Sequence, residues 1–312
     1  MSIDEYDGLY MDPDLPENHR SGFVAVVGKP NVGKSTLMNA LLGEKLAIVT
    51  PRPQTTRERQ LGILTTNVYQ MVFIDTPGLT KPGNKLDETM AETVREAITD
   101  GDVVLVIVDA SHPPTRADKI LAEAVSGAPQ DASVVLALNK IDLAGETGSH
   151  AAEYEDLFAR ADPVAVSALE GTGVEELHSL LIERLPFGPR FYPAEQLTQT
   201  RLRDNVAEIV REKLLLLYRD EVPHAAAVVV DEFTERDENM TYISATIYVE
   251  RDSQKGIIIG KGGSGLKKIG QAARPDIEAV VGTRVYLEVW VKVLKNWRTD
   301  ENALRRLGYR RS

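Results

Sequence analysis

The chain has 312 residues, 43% of them hydrophobic and 27% charged, a length that ordinarily makes about two domains with a sizeable core. It contains no cysteine, which excludes disulfides, thiolate metal sites and cysteine nucleophiles and fits a reducing cytosol. The formal net charge of -11 is unevenly laid out: residues 1–193 carry 16 Lys and Arg against 29 Asp and Glu, whereas residues 251–312 carry 14 against 6, so only the C-terminal end is expected to face a polyanion.

Residues 1–20 are acidic, lack the apolar core of a signal peptide and read as a mobile tail. No apolar run approaches the ~18 residues of a membrane span. From residue 21 the chain alternates strand-like apolar runs at 23–27, 61–65, 69–75, 103–109, 133–138 and 163–167 with helical patterns near 34–42, 87–99, 116–126, 150–160 and 173–185. Several of these runs are continuous rather than alternating, as strands covered on both faces are. The order predicts an α/β doubly wound sheet over residues 21–185. Residues 186–193, PFGPRFYP, hold three prolines and a glycine and predict a linker. Residues 194–312 then read as a smaller α+β domain: a helix at 198–218, with Val206, Ile209, Val210, Leu214 and Leu217 on its apolar stripe, strands near 225–233 and 241–250, helices around a glycine turn in 254–281, and a strictly alternating strand at 284–293.

Residues 28–35, Gly28-Lys29-Pro30-Asn31-Val32-Gly33-Lys34-Ser35, lie between a strand and a helix and have the Gly-x-x-x-x-Gly-Lys-Ser form of a P-loop. Glycine lets successive backbone N–H groups turn inward, and the helix N-terminus adds partial positive charge. The phosphate cradle is therefore assigned to Gly28, Asn31, Val32, Gly33, Lys34, Ser35 and Thr36, with Lys34 on the β/γ phosphates and Ser35 on Mg²⁺. The plain alternative is a glycine turn. Asp75-Thr76-Pro77-Gly78 ends a later strand; Asp75 can hold Mg²⁺ through water and the Gly78 N–H can sense a γ-phosphate. The carboxylate of Asn139-Lys140-Ile141-Asp142, at another strand end, can accept two hydrogen bonds from guanine, and adenine lacks both donors. Ser167-Ala168-Leu169 offers a backbone N–H to guanine O6. Asn139, Lys140, Asp142, Ser167 and Ala168 form the expected base site. All four patterns sit at strand C-terminal ends, the edge at which open α/β sheets bind ligands.

This order resembles the Ras-like GTPase superfamily, and the resemblance implies a GTP-hydrolysing switch. Between the P-loop and Asp75 lies Pro53-Gln54-Thr55-Thr56-Arg57, where Thr56, with Thr55 close behind, is expected to cap Mg²⁺ and the γ-phosphate. Leu79 stands where the Ras pattern places a water-orienting glutamine, so slow intrinsic turnover is expected and no catalytic side chain is assigned. Asn31 resembles the asparagine that selects K⁺ in some GTPases of this group; local turn chemistry explains it equally. Arg57 and Arg59 have the charge for a catalytic role, but exposed switch arginines are more often solvated, and solvation is expected.

Residues 256–269 read GIIIGKGGSGLKKI. Gly260-Lys261-Gly262-Gly263 between two helical stretches has the Gly-x-x-Gly form of a KH clamp, which holds about four nucleotides. Ile257, Ile258 and Ile259 are expected to floor it, and Lys261, Lys267 and Lys268 to face phosphate. Lys292, Lys295, Arg298, Arg305, Arg306, Arg310 and Arg311 make either a solvated face or phosphate contacts. Trp290 and Trp297 are expected to pack in the core. The element order resembles the type II KH fold.

A G domain followed by a type II KH domain, with PQTTR between the first two motifs, resembles the Era family of bacterial GTPases from residue 21 to about 308. The resemblance implies a cytoplasmic monomer that binds GTP and GDP with Mg²⁺. It further implies contact with the 3′ end of 16S ribosomal RNA, a role on the 30S subunit precursor, and peripheral association with the cytoplasmic membrane. Two other readings compete. A small-molecule kinase leaves NKID and DTPG unexplained, and a membrane-linked signalling GTPase would turn the basic end to anionic lipid.

Overall fold

The computed structural model describes residues 15–43, 57, 59–143, 150–194, 196, 202–219 and 221–309. Most of the expected tail, Thr55 and Thr56, and Arg310 and Arg311 lie outside the described residues. Arg57, expected to be solvated, is instead buried, and Arg59 is exposed but paired with Asp100 (2.7 Å). The chain divides into two compact units.

The first unit is built on β1 (Arg20–Gly28), β2 (Gln60–Thr65), β3 (Tyr69–Asp75), β4 (Val103–Asp109), β5 (Ser133–Asn139) and β6 (Asp162–Ala165), in the order β2-β3-β1-β4-β5-β6. β2 runs antiparallel to β3 and the other pairs are parallel. Every residue of β3 is buried, as the continuous apolar run required of a strand with both faces covered. One face of the sheet packs Val24, Val26, Phe73, Leu105 and Ile107 against Leu37, Met38 and Leu41 of α1 (Lys34–Leu42) and Leu177 and Leu181 of α5 (Val174–Arg184). The other packs Val27, Val104, Val106 and Leu136 against α2 (Lys85–Asp100), α3 (Arg116–Ser126) and α4 (Ala151–Leu157) through Val94, Ile98, Leu121, Val125 and Tyr154. This is the expected doubly wound sheet, and it brings the ends of β1, β3, β4 and β5 to one edge.

The proline-bearing segment 186–193 lies on this unit as a strap. The Gln70 side chain accepts from the backbone N–H groups of Phe191 and Tyr192 (2.8 and 3.0 Å) and donates to the Tyr192 carbonyl (2.8 Å). Tyr192 is buried, and the Phe191 ring packs on Phe23 with centroids 4.9 Å apart.

The second unit carries α6 (Leu202–Leu217), α7 (Glu221–His224), β7 (Ala227–Asp237), β8 (Met240–Val249), α8 (Asp252–Ile259), α9 (Ser264–Val281), β9 (Arg284–Val293) and α10 (Glu301–Arg306). β7 and β8 pair antiparallel, and β8 and β9 parallel. The helices cover one sheet face through Val206, Val210, Leu214, Ile258, Ile269 and Ile277 over Ile243, Ala245 and Ile247. The expected α-β-β-α-α-β order holds, with two short helices added at 221–224 and 301–306. Leu217 departs from the predicted stripe and is exposed at the end of its helix. No helix among the described residues is long and apolar enough to cross a membrane.

Candidate functional site

The P-loop leaves β1 at Gly28, where the strand runs so close to β4 that a Cβ would lie 2.6 Å from the Ile107 carbonyl oxygen. Asn31 (φ 64°) and Gly33 (φ 96°) both take the left-handed conformation, which asparagine tolerates and glycine adopts freely. That backbone geometry is a sufficient local reason for Asn31. Gly33 caps α1 with no side-chain hydrogen bond, so the first-turn N–H groups are served by no capping side chain and suit an anion. Ser35 and Thr36 lie half-buried in that turn. Lys34 is buried, its Nζ donating to the Gly28 and Lys29 carbonyls (3.2 and 3.0 Å). Burial pushes its pKa down to about 8, against the pull of the Asp75 carboxylate.

Asp75 ends β3, buried opposite Val26 of β1. Thr76 Oγ1 donates to the Val26 carbonyl (2.7 Å). Gly78 is seated on Pro30, so closely that a Cβ would lie 2.7 Å from the Pro30 nitrogen. The Leu79 N–H donates to the Gly28 carbonyl (3.0 Å), while its side chain turns into the core with Val27, Ala91 and Val94. The oxygen donors Ser35 and Asp75 fit Mg²⁺, which takes few protein ligands and keeps water and phosphate oxygens for the rest. No group of three or more His, Cys, Asp or Glu side chains gathers as a metal site among the described residues.

At the base end, Asn139 is buried and both ends of its amide are engaged. Nδ2 donates to the Val32 carbonyl (2.7 Å) and Oδ1 accepts from the Ala168 N–H (2.9 Å). Asn139 thus ties the P-loop to the loop after β6, and of the Ser167-Ala168-Leu169 backbone N–H groups, one of which was expected to meet guanine O6, that of Ala168 points to Asn139 in this structure. Lys140 (φ 66°) pairs through Nζ with Asp109 at the end of β4 (2.7 Å). Burial raises the Asp109 pKa, but Lys140 and Ser111 outweigh it and hold the carboxyl below its ordinary value. Asp142 sits exposed in the 3₁₀ turn Ile141–Leu143, open to a ligand. Ser167 is fully buried, its hydroxyl accepting from the Glu170 N–H (3.2 Å).

In the second unit, α8 ends at Gly260 (φ 69°) and a 3₁₀ turn, Lys261–Gly263, leads to α9, with Gly262 at φ 60° and Gly263 at φ 81°. A Cβ at either of the last two would meet nothing within 4 Å. Lys261, Lys267 and Lys268 are exposed. Ile257 is exposed and Ile259 half-buried, but Ile258 belongs to the core. The expected three-isoleucine floor is therefore not formed: Ile258 lies in the core, Ile259 packs against it and Ile257 alone is exposed, because helical residues one or two apart point in different directions. Trp297 is buried, donating from Nε1 to the Ala225 carbonyl (3.0 Å). Trp290 corrects the expectation of a packed residue: it is 56% exposed on the open face of β9, whose alternation points Val289 and Val291 the other way. Arg298 is paired with Glu250 (2.6 Å), whereas Lys292, Lys295, Arg305 and Arg306 are exposed.

Two residues at the root of this turn escaped sequence reasoning. A Cβ on Gly265 would lie 2.1 Å from the Ile258 carbonyl oxygen, and Tyr218 Oη donates to that same oxygen (3.0 Å). The third glycine of GGSGL was the available signal for the first; Tyr218 gave none.

Residues 23–140 match the family model described as 50S ribosome-binding GTPase, and residues 221–298 match that described as KH domain. Over 295 residues the chain is 44% identical to GTPase Era of Heliobacterium modesticaldum (strain ATCC 51547 / Ice1), covering 94% of this chain and 98% of that protein. The chain belongs to the Era family of GTPases. A crystal structure of Era in complex with MgGDPNP and nucleotides 1506–1542 of 16S ribosomal RNA is similar at TM-score 0.87 and 38% identity, covering 93% of this chain and 99% of that one. A variant of Aquifex aeolicus Era bound to GDP·AlF4⁻ is similar at TM-score 0.84, again with 38% identity and 93% and 99% coverage. The Era pairing of a GTPase domain with a KH domain therefore spans this chain, and GTP hydrolysis is its activity.

Proposed function

We propose that this Era-family GTPase is a switch that clamps the 3′ region of 16S ribosomal RNA through its KH domain and acts in assembly of the 30S subunit. The observation that carries the reading is the bare glycine edge at Gly262 and Gly263, flanked by exposed Lys261, Lys267 and Lys268, on the same chain as a P-loop. Such an edge admits a sugar-phosphate strand. The Era complex that holds MgGDPNP and an RNA segment together supports it.

In this reading Lys34 neutralises the β/γ phosphates, the first turn of α1 supplies N–H donors, and the Gly78 N–H meets the γ-phosphate. Asp142 accepts from guanine, with Asn139 holding the base loop to the cradle. Ser35, Asp75 and Thr56 or Thr55 would hold Mg²⁺, which would supply positive charge to the phosphates. No side chain at 79 orients the attacking water, so turnover is slow. Asn31 at the cradle's mouth selects K⁺, and faster hydrolysis in K⁺ than in Na⁺ buffer is the expected result; equal rates remove that assignment. GTP changes the population able to hold RNA.

The test is the affinity for a short single-stranded RNA ending like the 3′ end of 16S RNA, with GDP and with a non-hydrolysable GTP analogue, over a salt series. Tighter binding with the analogue, lost on Gly262→Asp, is expected. Equal affinity in both states would remove the coupling, and no binding in either would remove the RNA assignment. Asp142→Asn is expected to lose GTP and gain xanthosine triphosphate, read by competition binding. We place the protein in the cytoplasm as a monomer, its basic end able to touch anionic lipid; sedimentation and vesicle pelleting competed by the RNA test both.

A further inference from the structure

Among the described residues the cradle is held from outside at three points by hydrogen bonds and an ion pair. Two use motif residues: the Leu79 N–H on the Gly28 carbonyl and the Asn139 amide on the Val32 carbonyl. The third does not. Lys29 Nζ pairs with Asp118 Oδ2 at 2.8 Å, and Asp118 lies wholly buried in the first turn of α3. The same carboxylate oxygen accepts from the N–H and the hydroxyl of Thr115 (2.7 and 2.6 Å). A buried carboxylate needs a cation, and the P-loop supplies it. Lys29 therefore turns its side chain away from the phosphate side, while its carbonyl accepts from Lys34 Nζ. The next residue, Pro30, is the one on which Gly78 is seated.

We propose that Lys29 and Asp118 are positioning residues for the phosphate cradle: helix α3 anchors the loop at Lys29, and through it sets Lys34 and the Pro30–Gly78 contact. The inference rests on residues 28–35 being a phosphate cradle. A charged anchor on a residue whose backbone faces the ligand fixes the loop before the nucleotide arrives, and small displacements of such loops are costly.

The measurement is GDP affinity by fluorescence of a labelled nucleotide, beside the thermal midpoint, on the full chain. Lys29→Met with Asp118→Asn removes the pair without stranding a buried charge, and Asn keeps an acceptor for Thr115. GDP affinity is expected to fall roughly tenfold, and Lys29→Arg to bind near the wild-type level. Thr115→Val, which takes the hydroxyl's hydrogen bond from Asp118 but keeps the backbone one and both charges of the pair, is expected to lower the midpoint and leave affinity in place; it carries the comparison if the double variant does not fold. If the double variant binds GDP as the wild type does, or if Thr115→Val weakens GDP as much, the pair only holds the fold and the inference is overturned. If the wild type itself fails to bind GDP, the cradle reading falls first and takes the inference with it.

Discussion

In the first unit the glycine loop is gripped at Gly28, Lys29 and Val32, by Leu79, Asp118 and Asn139. In the second, the glycine loop is held at its root, where Gly265 and Tyr218 close on the Ile258 carbonyl, and among the described residues a Cβ at Gly262 or Gly263 would meet nothing within 4 Å. Both loops use left-handed glycines, a conformation that lets backbone approach a ligand closely. On the proposed function the difference follows the ligand: a nucleotide presents charge at fixed places and rewards a loop fixed in advance, whereas a polymer strand must be admitted from the side and needs an unobstructed edge.

The same substitution separates the two designs. Gly33→Ala places a Cβ 2.4 Å from Asn139 Nδ2 at φ 96°, so left-handed strain of ~1–2 kcal/mol adds to a broken buried hydrogen bond worth ~1–3 kcal/mol. We expect stability and GDP affinity to fall together, read by denaturant melts and nucleotide titration. Leu79→Gln buries an amide among Val27, Ala91 and Val94. It should cost about 2 kcal/mol of stability and leave single-turnover hydrolysis no faster; a gain in rate would show that the side chain can leave the core. Gly262→Ala meets open space, so only backbone strain of ~1 kcal/mol remains, with nucleotide affinity unchanged and RNA affinity reduced. Equal effects of the alanine at 33 and 262 on nucleotide binding would erase the contrast. Tyr218→Phe removes one hydrogen bond to the turn's root and should cost about 1 kcal/mol or less of thermal stability, with a small loss of RNA affinity.

What was legible in the sequence was what is local in it. The P-loop, DTPG, NKID and GxxG stretches each place their chemistry within a few residues, and periodicity gave the sheet and most helices. What was hidden is held across distance. Lys29 and Asp118 lie 89 positions apart, Tyr218 and Ile258 40 apart, and Lys140 and Asp109 31 apart; neither member of these pairs announces the other. Alternation in 284–293 sets Trp290 on the face of Arg284, Tyr286, Glu288 and Lys292, opposite the wholly apolar Val285, Leu287, Val289, Val291 and Val293, so its exposure was legible there; the expectation of a packed residue followed the usual burial of indole instead. The isoleucine run 257–259 concealed its division, since all three are apolar and only helical geometry sends Ile258 inward.

The inward turn of Leu79 bears on how such a chain can evolve. A residue packed among Val27, Ala91 and Val94 answers to selection on the fold before it answers to selection on rate. A single-step change toward a water-orienting amide is opposed by its own loss of stability, and a viable route would first have to remodel the neighbours that enclose it. Variation in the lifetime of the GTP-bound form is then expected to accumulate elsewhere on the molecule or in its partners, leaving this position quiet while the clock is reset around it.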